Sequence, residues 1–307
     1  GKPVFADIDV DTMNIDPDKI EKKISKRTVG VVPVHFAGRP CDMDSILAIA
    51  QKKRLFTVED AAHAIETFCG KRKVGGLSDM TAFSFYVTKN LVTGEGGMLT
   101  TNNPAWEKEV RIRSLHGMSA DAWKRYSKSG SQEYDVVYAG YKYNMTDIQA
   151  SLGLHQLARL EKNLKIRERH WRRYDEAFAD VPEIKTPLEQ ANGRHARHLY
   201  PILLDTDNLK ITRNDFISLM REENIGTGVH FKALHLHSFY RKTFGYRRSD
   251  FPNAEYVSER TVSLPMSPKL TEQDVEDVIT AVKTIIVKNR KKKLQPTLTP
   301  PSPRGRG

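Results

Sequence analysis

Strand-like and helix-like segments alternate along the first third of the sequence, and this alternation constrains the fold more than any other feature. The stretch VGVVPVHF (29–36) is valine-rich and nearly uncharged, as in a strand buried on both faces, although Pro33 removes one ladder hydrogen bond. A helix-like stretch, DMDSILAIAQKK, follows, and then a second buried strand, RLFTVED. This order predicts a βαβ unit and a mostly parallel sheet.

The same alternation continues to the end of the body. DMTAFSFY and GGMLTTNN read as the next strands, and PAWEKEVRIRSL as a helix with Pro104 near its first turn. From Thr146, helical spacing predicts one helix of about thirty residues, capped by Thr146 or Asp147. Beyond it, HLYPILL and GTGVHF read as strands, and TRNDFISLMREENI and EQDVEDVITAVKTIIVK as helices. The 307-residue sequence therefore predicts two α/β domains joined by a long helix.

The net charge of +11 comes mainly from the C-terminal end. Eight of the 49 Lys and Arg residues lie from 281 onward, where no acidic residue occurs, which leaves 41 basic against 38 acidic residues elsewhere. Residues 288–307 are basic and then proline-rich, so we predict a disordered tail. It has no aromatic residue to stack on bases, so nucleic acid is not the expected partner; binding of RNA or acidic lipid by the basic run is the alternative.

Two absences limit the class of protein. No run of eighteen apolar residues is present, and the start GKPVFADIDV lacks a charged-then-apolar signal pattern, so we expect a soluble, cytoplasmic protein without a membrane partner. Cys41 and Cys69 are too few for a disulfide framework and lack the spacing of metal ligands. Reduced structural thiols are expected.

Two chemically active side chains follow neighbouring predicted strands. Asp60 ends RLFTVED, and Lys89 lies just past DMTAFSFY, with Ser84 and the glycines of 94–97 close by. Ligands of parallel sheets bind beyond the carboxyl ends of the strands, so both would line one crevice. Lysine is a Schiff-base nucleophile, and a carboxylate pairs with the pyridinium nitrogen of pyridoxal 5'-phosphate (PLP). On spacing alone, a solvated lysine and an aspartate that caps the next helical turn stay open as alternatives.

Three separated motifs make the interpretation more specific: VEDAAHA, KVGGLSDMTAFSFYVTKNLVTGEGGMLTTN and GYKYNMTDIQASLGLHQLARLEK. Together they resemble the DegT-type sugar aminotransferases, a branch of the fold-type I PLP enzymes, and the resemblance runs from about Pro3 to about Val287. It implies a PLP-binding large domain with a central, mostly parallel sheet over 1–160. A smaller C-terminal α/β domain would occupy 161–287.

The resemblance also implies roles for individual residues. Lys89 is expected to form the Schiff base with PLP, as the catalytic residue, and Asp60 to pair with the pyridine nitrogen. His63 stands where the family places a Gln or His over the cofactor ring, and Ser84 where a serine binds the phosphate.

The segment GYKYNMTD resembles a stretch that, in the family, reaches the phosphate of the neighbouring subunit's cofactor, which implies a homodimer with a shared site. Many members have Asn and Arg at the positions held here by Lys142 and Asn144; Lys142 would supply a point charge instead of a bidentate fork. Members also have a sizeable N-terminal stretch, with a Gly-Thr-Ala type phosphate loop, ahead of the point that matches Gly1. We therefore expect a chain that lacks the N-terminal part of the domain.

The expected reaction follows from the resemblance. L-Glutamate would give its amino group to PLP, and the amine would pass to a keto group on a nucleotide-linked sugar, in the biosynthesis of an amino sugar for polysaccharide, lipid or antibiotic. Lys89 would move the proton as general base and acid. Two alternatives are a catalytically incompetent remnant of the family and a related sugar dehydratase, in which a His replaces the lysine; the presence of Lys89 argues against the dehydratase.

The remaining histidines suggest a metal only at first sight. His195 and His198 in RHARH, and His235 and His237 in LHLH, have no accompanying cluster of Cys or carboxylates, so we predict no zinc site. The resemblance places VHFKALHLHSFY near the substrate mouth, where His230 and His235 would contact the sugar or the amino donor. Ordinary polar packing is the alternative.

Overall fold

The computed structural model describes residues 1–119 and 135–291. The first half contains, in chain order, α1 (Pro17–Lys23), β1 (Gly30–Val31), α2 (Met43–Lys53), β2 (Phe56–Asp60), β3 (Phe68–Cys69), β4 (Arg72–Lys73), β5 (Met80–Ser84), β6 (Gly97–Thr100), α3 (Pro104–Ser114) and α4 (Asp147–Leu157). The second half contains α5 (Leu160–Phe178), β7 (Ile184–Lys185), β8 (Gly193–Arg194), β9 (Tyr200–Leu204), α6 (Arg213–Glu222), α7 (Ser238–Phe244), α8 (Pro252–Arg260), β10 (Thr261–Leu264) and α9 (Glu272–Asn289).

A four-stranded sheet in the order β1-β2-β5-β6 organises the first half. The pairs β1-β2 and β2-β5 are parallel, and β6 lies antiparallel to β5. Helix α2 connects β1 to β2 and begins at Asp42, whose carboxylate accepts a hydrogen bond from the Ser45 N–H at 3.1 Å. The predicted βαβ unit is therefore present, and it brings Asp60 at the end of β2 beside Ala82 in β5.

The first strand is shorter than its valine-rich sequence suggests. Only Gly30–Val31 forms a strand, and Pro33 follows two residues later without an N–H to donate. A single bridge from Val34 to Asp60 keeps the chain beside β2.

The long helix predicted from Thr146 is interrupted. Helix α4 ends at Leu157, and α5 begins at Leu160. Thr146 is the N-cap of α4 and accepts a hydrogen bond from the Gln149 N–H at 3.3 Å, as expected. The apolar residues do not form one stripe. Ile148 of α4 is 78% exposed, whereas Leu164 of α5 is 2% exposed. The predicted single helix is therefore two helices that bury different amounts of apolar surface.

The largest core lies in the second half. The antiparallel sheet β10-β9-β7 packs against α5, α6 and α9, and all five residues of β9 are buried. The predicted strand GTGVHF contributes only an isolated bridge, between Gly228 and Ser263 of β10.

The two halves are also joined away from α5. In the sheet β4-β3-β8, Phe68 of β3 pairs with Arg194 of β8. The Ala196 N–H donates to the Gly38 carbonyl at 2.9 Å, and the His198 N–H donates to the Ala37 carbonyl at 3.0 Å. Residues 193–198, which fall in the predicted smaller domain, thus pack on the first half. The boundary between 160 and 161 stays a prediction.

Helix α9 continues into the range predicted as a tail. It ends at Asn289, and the next residue, Arg290, donates to the Glu183 carboxylate at 2.9 Å. Lys291 donates to the Asp207 carbonyl at 2.7 Å. Residues 288–291 therefore belong to the folded body, which corrects the predicted start of the tail at 288. The predicted disorder of 292–307 lies outside the described residues.

Across residues 1–119 and 135–291, the helices are too short or too polar to cross a lipid bilayer. Both cysteines, Cys41 and Cys69, carry free thiols.

Candidate active site

Lys89 lies in a loop that is closed at its base. The Phe85 N–H donates to the Gly96 carbonyl at 2.8 Å, and the Thr93 N–H donates to the Phe85 carbonyl at 2.9 Å. Within the loop, the Lys89 N–H donates to the Tyr86 carbonyl at 2.9 Å, which forms a turn. The chain therefore presents Lys89 on a short, internally bonded turn just after β5.

The Lys89 amine lies near enough to the Asp60 carboxylate at this sheet edge to be influenced by its charge. Burial lowers the pKa of Lys89, and the Asp60 carboxylate opposes that shift. Asp60 uses its Oδ1 to accept a hydrogen bond from the Ala62 N–H at 3.0 Å, so the capping alternative is realised in part. Its Oδ2 accepts no hydrogen bond from the described residues. Oδ2 can therefore accept a hydrogen bond from a ligand.

His63 lies beside this pair as a neutral imidazole. Its Nδ1 accepts a hydrogen bond from the Ala37 N–H at 3.2 Å, so the ring carries its proton on Nε2. Burial, with additional effects of Lys89 and His230, lowers the pKa of His63 to about 3. The ring therefore stays uncharged at neutral pH.

Two phenylalanines complete the surroundings of His63. The Phe231 ring is stacked over the His63 ring, with centroids 6.3 Å apart and planes at 22°. Phe36 packs edge-on against Phe231 at 6.2 Å. Phe231 is 53% exposed, so an apolar, aromatic surface is open to a flat ligand. Neither phenylalanine was predicted to lie at the site, although the sequence carries one signal: the tripeptide VHF occurs twice, at 34–36 and 229–231.

Of the two histidines predicted to contact substrate, only His230 lies with the Lys89 group. Burial lowers the pKa of His230, with Lys89 as the second cause, and its Nδ1 lies 2.8 Å from the Ser263 hydroxyl. His235 is 2% exposed, and its Nε2 lies 2.9 Å from the Glu255 carboxylate. That contact gives His235 a structural role, in agreement with the polar-packing alternative.

The predicted phosphate ligands are divided between two places. Ser84 ends β5, and its Oγ accepts a hydrogen bond from the Tyr86 N–H at 3.3 Å, within the Lys89 loop. Lys142 and Asn144 hydrogen-bond each other, and Lys142 is exposed on a segment bridged to Leu115. In the part of the chain that the structure describes, they have no contact with Lys89.

The RHARH histidines are packed as neutral groups. His195 Nδ1 accepts a hydrogen bond from the Arg197 N–H at 2.8 Å, and its ring contacts Trp171. His198 lies 4.3 Å from His63, ring centroid to centroid. Within the described ranges, no group of three or more His, Cys, Asp or Glu side chains is arranged to hold a metal ion.

These side chains fit PLP by their chemistry. A lysine with a lowered pKa suits the aldehyde, a free carboxylate oxygen suits the protonated ring nitrogen, and a neutral imidazole beside exposed Phe231 suits the flat ring. The α/β sheet and this group of side chains at its edge are typical of one class of protein, the PLP-dependent α/β enzymes.

The chain belongs to the DegT/DnrJ/EryC1/StrS aminotransferase family, whose model matches residues 1–283. It is 53% identical over 285 residues to the spore coat polysaccharide biosynthesis protein SpsC of Bacillus subtilis, a match that covers 92% of this chain and 73% of SpsC.

Solved structures of related proteins have the same fold. The PMP form of Spr1654 from Streptococcus pneumoniae superposes with a TM-score of 0.87 at 35% identity, covering 94% of this chain and 76% of that one. PseC of Helicobacter pylori, an aminotransferase involved in the biosynthesis of pseudoaminic acid, superposes with a TM-score of 0.86 at 28% identity, over 94% of this chain and 74% of PseC. Spr1654 has also been solved in a PLP form. The comparisons confirm the predicted family, the fold-type I α/β class, the aminotransferase activity and the PLP cofactor.

Proposed function

We propose that this protein transfers an amino group from L-glutamate to the keto group of a nucleotide-linked sugar. The observation that carries the proposal is that Lys89, whose pKa is lowered by burial, follows the strand that pairs with the end of β2 at Asp60, near enough for the Asp60 carboxylate to oppose that shift. Family membership supplies the reaction class. SpsC and PseC, with their named parts in polysaccharide and pseudoaminic acid biosynthesis, support a sugar as the amino acceptor.

Each residue of the group has a role in this proposal. PLP, when bound, supplies an aldehyde that condenses with amines and a ring that takes up negative charge from the substrate carbon. Lys89 Nζ holds the cofactor covalently and, once released, removes and returns the proton on the substrate carbon. A lowered pKa favours the neutral, nucleophilic amine.

The other side chains orient the cofactor and the substrate. Asp60 Oδ2 would accept a hydrogen bond from the protonated ring nitrogen, His63 would pack against the ring, and the Ser84 hydroxyl would donate to the phosphate. His230, half-buried beside Lys89, contacts the donor carboxylate or the sugar from the opposite half of the chain.

We also propose a homodimer in which Lys142 and Asn144 reach the phosphate of the partner subunit's cofactor. The exposure of Lys142 supports this assignment, because its cation is available to a second copy, and the partly buried Asn144 hydrogen-bonds to it. The cytoplasmic location expected from the sequence stays a prediction.

Reduction with borohydride in the presence of PLP tests the role of Lys89. The expected result is a PLP-labelled peptide that contains Lys89, together with a visible absorbance band that is lost in Lys89→Arg. Lys73→Arg is the matched control, because burial also lowers the pKa of Lys73, while its ammonium donates to the Ile65 carbonyl at 2.8 Å. If the wild-type chain gives no labelled peptide at saturating PLP, the chain is a non-catalytic member of its family.

The substrate proposal is tested separately. Purified protein loaded with PLP is mixed with L-glutamate, and formation of 2-oxoglutarate is measured in a single turnover. The amine-loaded protein is then mixed with a nucleotide-linked keto sugar or with the same free sugar. Faster reaction of the nucleotide-linked form supports the proposal. Equal rates would show that the enzyme does not recognise the nucleotide part of the substrate.

A further inference from the structure

Asn90, the residue next to Lys89, makes a complete set of buried hydrogen bonds. Its Nδ2 donates to the Glu66 carboxylate at 3.1 and 2.9 Å and to the Ala196 carbonyl at 3.0 Å. Its Oδ1 lies 2.8 Å from Nδ1 of His198, and the side chain is 6% exposed. These partners come from two distant parts of the sequence, Glu66 and the segment 196–198, so the position next to Lys89 is held from both.

The hydrogen bonds of Asn90 determine which nitrogen of His198 carries the proton. A carboxylate and a carbonyl only accept, so the amide NH₂ must face Glu66 and Ala196, and Oδ1 must face His198. An amide oxygen only accepts as well, so His198 donates from Nδ1. Burial, first among several causes, places the pKa of His198 well below its usual value. His198 is thus neutral and protonated at Nδ1.

His198 in turn packs on His63, with ring centroids 4.3 Å apart and planes at 38°. His63 has the opposite tautomer, since its Nδ1 accepts from the Ala37 N–H. Asn90 is therefore linked through His198 to His63, two neutral rings of opposite tautomer.

The other end of the group is a buried contact between Glu66 and Arg167; burial raises the pKa of Glu66, and Asn90 and Arg167 oppose that shift. Glu66 is 1% exposed, and Arg167 of α5 lies 3.5 Å from its carboxylate. Arg167 is itself 4% exposed. The ion pair connects the Lys89 turn to the helix that leads into the second half of the chain.

We propose that Asn90 is a positioning residue for Lys89. Its amide NH₂ holds the turn that carries the lysine against Glu66 and Ala196. Its amide oxygen holds His198 in the Nδ1–H tautomer, and the His198 ring packs on His63. The inference rests on the proposed function in one respect, that Lys89 is the lysine that binds PLP. Glu66 and Arg167 act through Asn90 and touch neither Lys89 nor His63 in the described contacts.

Nitrogen NMR of the histidine rings in the full chain tests the tautomers without any cofactor. Resonances are assigned with His198→Gln and His63→Gln. In the wild-type protein, His198 is expected to be protonated at Nδ1 and His63 at Nε2 between pH 6 and 8. In Asn90→Ala, His198 should lose the Nδ1–H signature. If wild-type His198 carries its proton on Nε2, the proposal is overturned without any variant at Asn90.

Labelling of Lys89 by PLP and borohydride tests the consequence for the lysine. Asn90→Ala should slow the labelling roughly ten- to a hundredfold, because a small displacement of a reactive group has a large effect on rate. Asn90→Asp keeps an acceptor toward His198 but loses the donor to Glu66. It should therefore keep the His198 signature and still slow the labelling.

Asn253→Ala is the control variant, because its amide donates to the Ile8 carbonyl at 2.7 Å, away from Lys89. It should label at the wild-type rate, and equal melting temperatures of the variants would exclude a general loss of stability. Unchanged labelling and an unchanged His198 tautomer in Asn90→Ala would overturn the proposal. If the wild-type chain takes up no PLP, the proposed function fails, but the tautomer experiment still decides the role of Asn90 toward His198.

Discussion

The rings of His63 and His198 lie 4.3 Å apart and carry their protons on different nitrogens. The Ala37 N–H occupies Nδ1 of His63, whereas Nδ1 of His198 donates to Asn90. Both rings are neutral because burial lowers the pKa of each. The two histidines near Lys89 therefore add no positive charge beside the lysine.

Burial of these neutral histidines should make the folded protein less stable in acid. The pKa of His63 falls from 6.5 to about 3 on folding, so between these values the unfolded chain binds a proton that the folded chain does not. The free energy of unfolding should fall as the pH falls through that window, by at most about 1.4 kcal/mol per pH unit for each such histidine. Urea unfolding at pH 7, 6 and 5 measures this slope.

Replacement of the ring checks the assignment. His63→Gln should reduce the slope, and His155→Gln, at an exposed position of α4, should leave it unchanged. Equal slopes for wild type and His63→Gln would contradict the expected protonation.

Glu59, the residue before Asp60, should be essential for the stability of the sheet. It is fully buried and accepts from the Nε2–H of His35 at 2.7 Å, from the Ser78 hydroxyl at 2.7 Å and from the Thr81 hydroxyl at 2.8 Å. Burial raises the pKa of Glu59, but these hydrogen bonds outweigh it and lower the pKa on balance.

Glu59→Ala leaves these donors without their acceptor and should reduce the free energy of unfolding by about 3 to 5 kcal/mol. Glu161→Ala is the control, since Glu161 pairs with Arg194 at the surface and should change stability by less than about 1 kcal/mol. Chemical unfolding of both variants measures the difference. Similar losses in the two would show that the buried contacts of Glu59 contribute little.

Gly96 should be required for the Lys89 loop. Its φ is +153°, and a Cβ at this position would lie 2.4 Å from the Thr93 hydroxyl oxygen. Gly96→Ala should therefore destabilise the loop by about 1 to 3 kcal/mol and slow PLP labelling of Lys89. Gly94 has a φ of +82° but open space around it. Gly94→Ala therefore introduces backbone strain without a steric clash, which makes it the comparison for Gly96→Ala. Equal labelling rates for Gly96→Ala and wild type would refute the prediction.

A site shared between two copies makes a prediction for mixed variants. Lys89→Ala and Lys142→Ala should each be inactive or nearly so. If Lys142 acts in the partner's site, each mixed dimer has one intact site, so an equal mixture after subunit exchange should recover about a quarter of the wild-type activity. Activity of the mixture and light scattering of each variant measure this. No recovery from dimers that exchange subunits would place Lys142 outside the partner's site.

Much of the sheet edge was predictable because it depends on local sequence and on the order of elements. The βαβ order puts Asp60 and Lys89 at neighbouring strand ends, and the motif around FSFYVTKNLVTGEGGML suggested the chemistry of the lysine. Pro33 was the sequence signal for the shortness of β1, because proline has no N–H to donate to a strand ladder. The break between α4 and α5 was not predictable from helical spacing, because exposure of Ile148 and burial of Leu164 depend on what packs against each helix.

The sequence by itself determined the family, the α/β class and the identity of Lys89 as the candidate nucleophile, since these depend on short motifs and their order. Only the tertiary structure decided that Asn90, next to that lysine, contacts Glu66 and His198, that His230 lies near Lys89 and that His235 pairs with Glu255 instead. The physical reason is that these contacts join residues as far apart as Asn90 and His198, and burial and hydrogen bonding between such residues exist only once the two halves pack together.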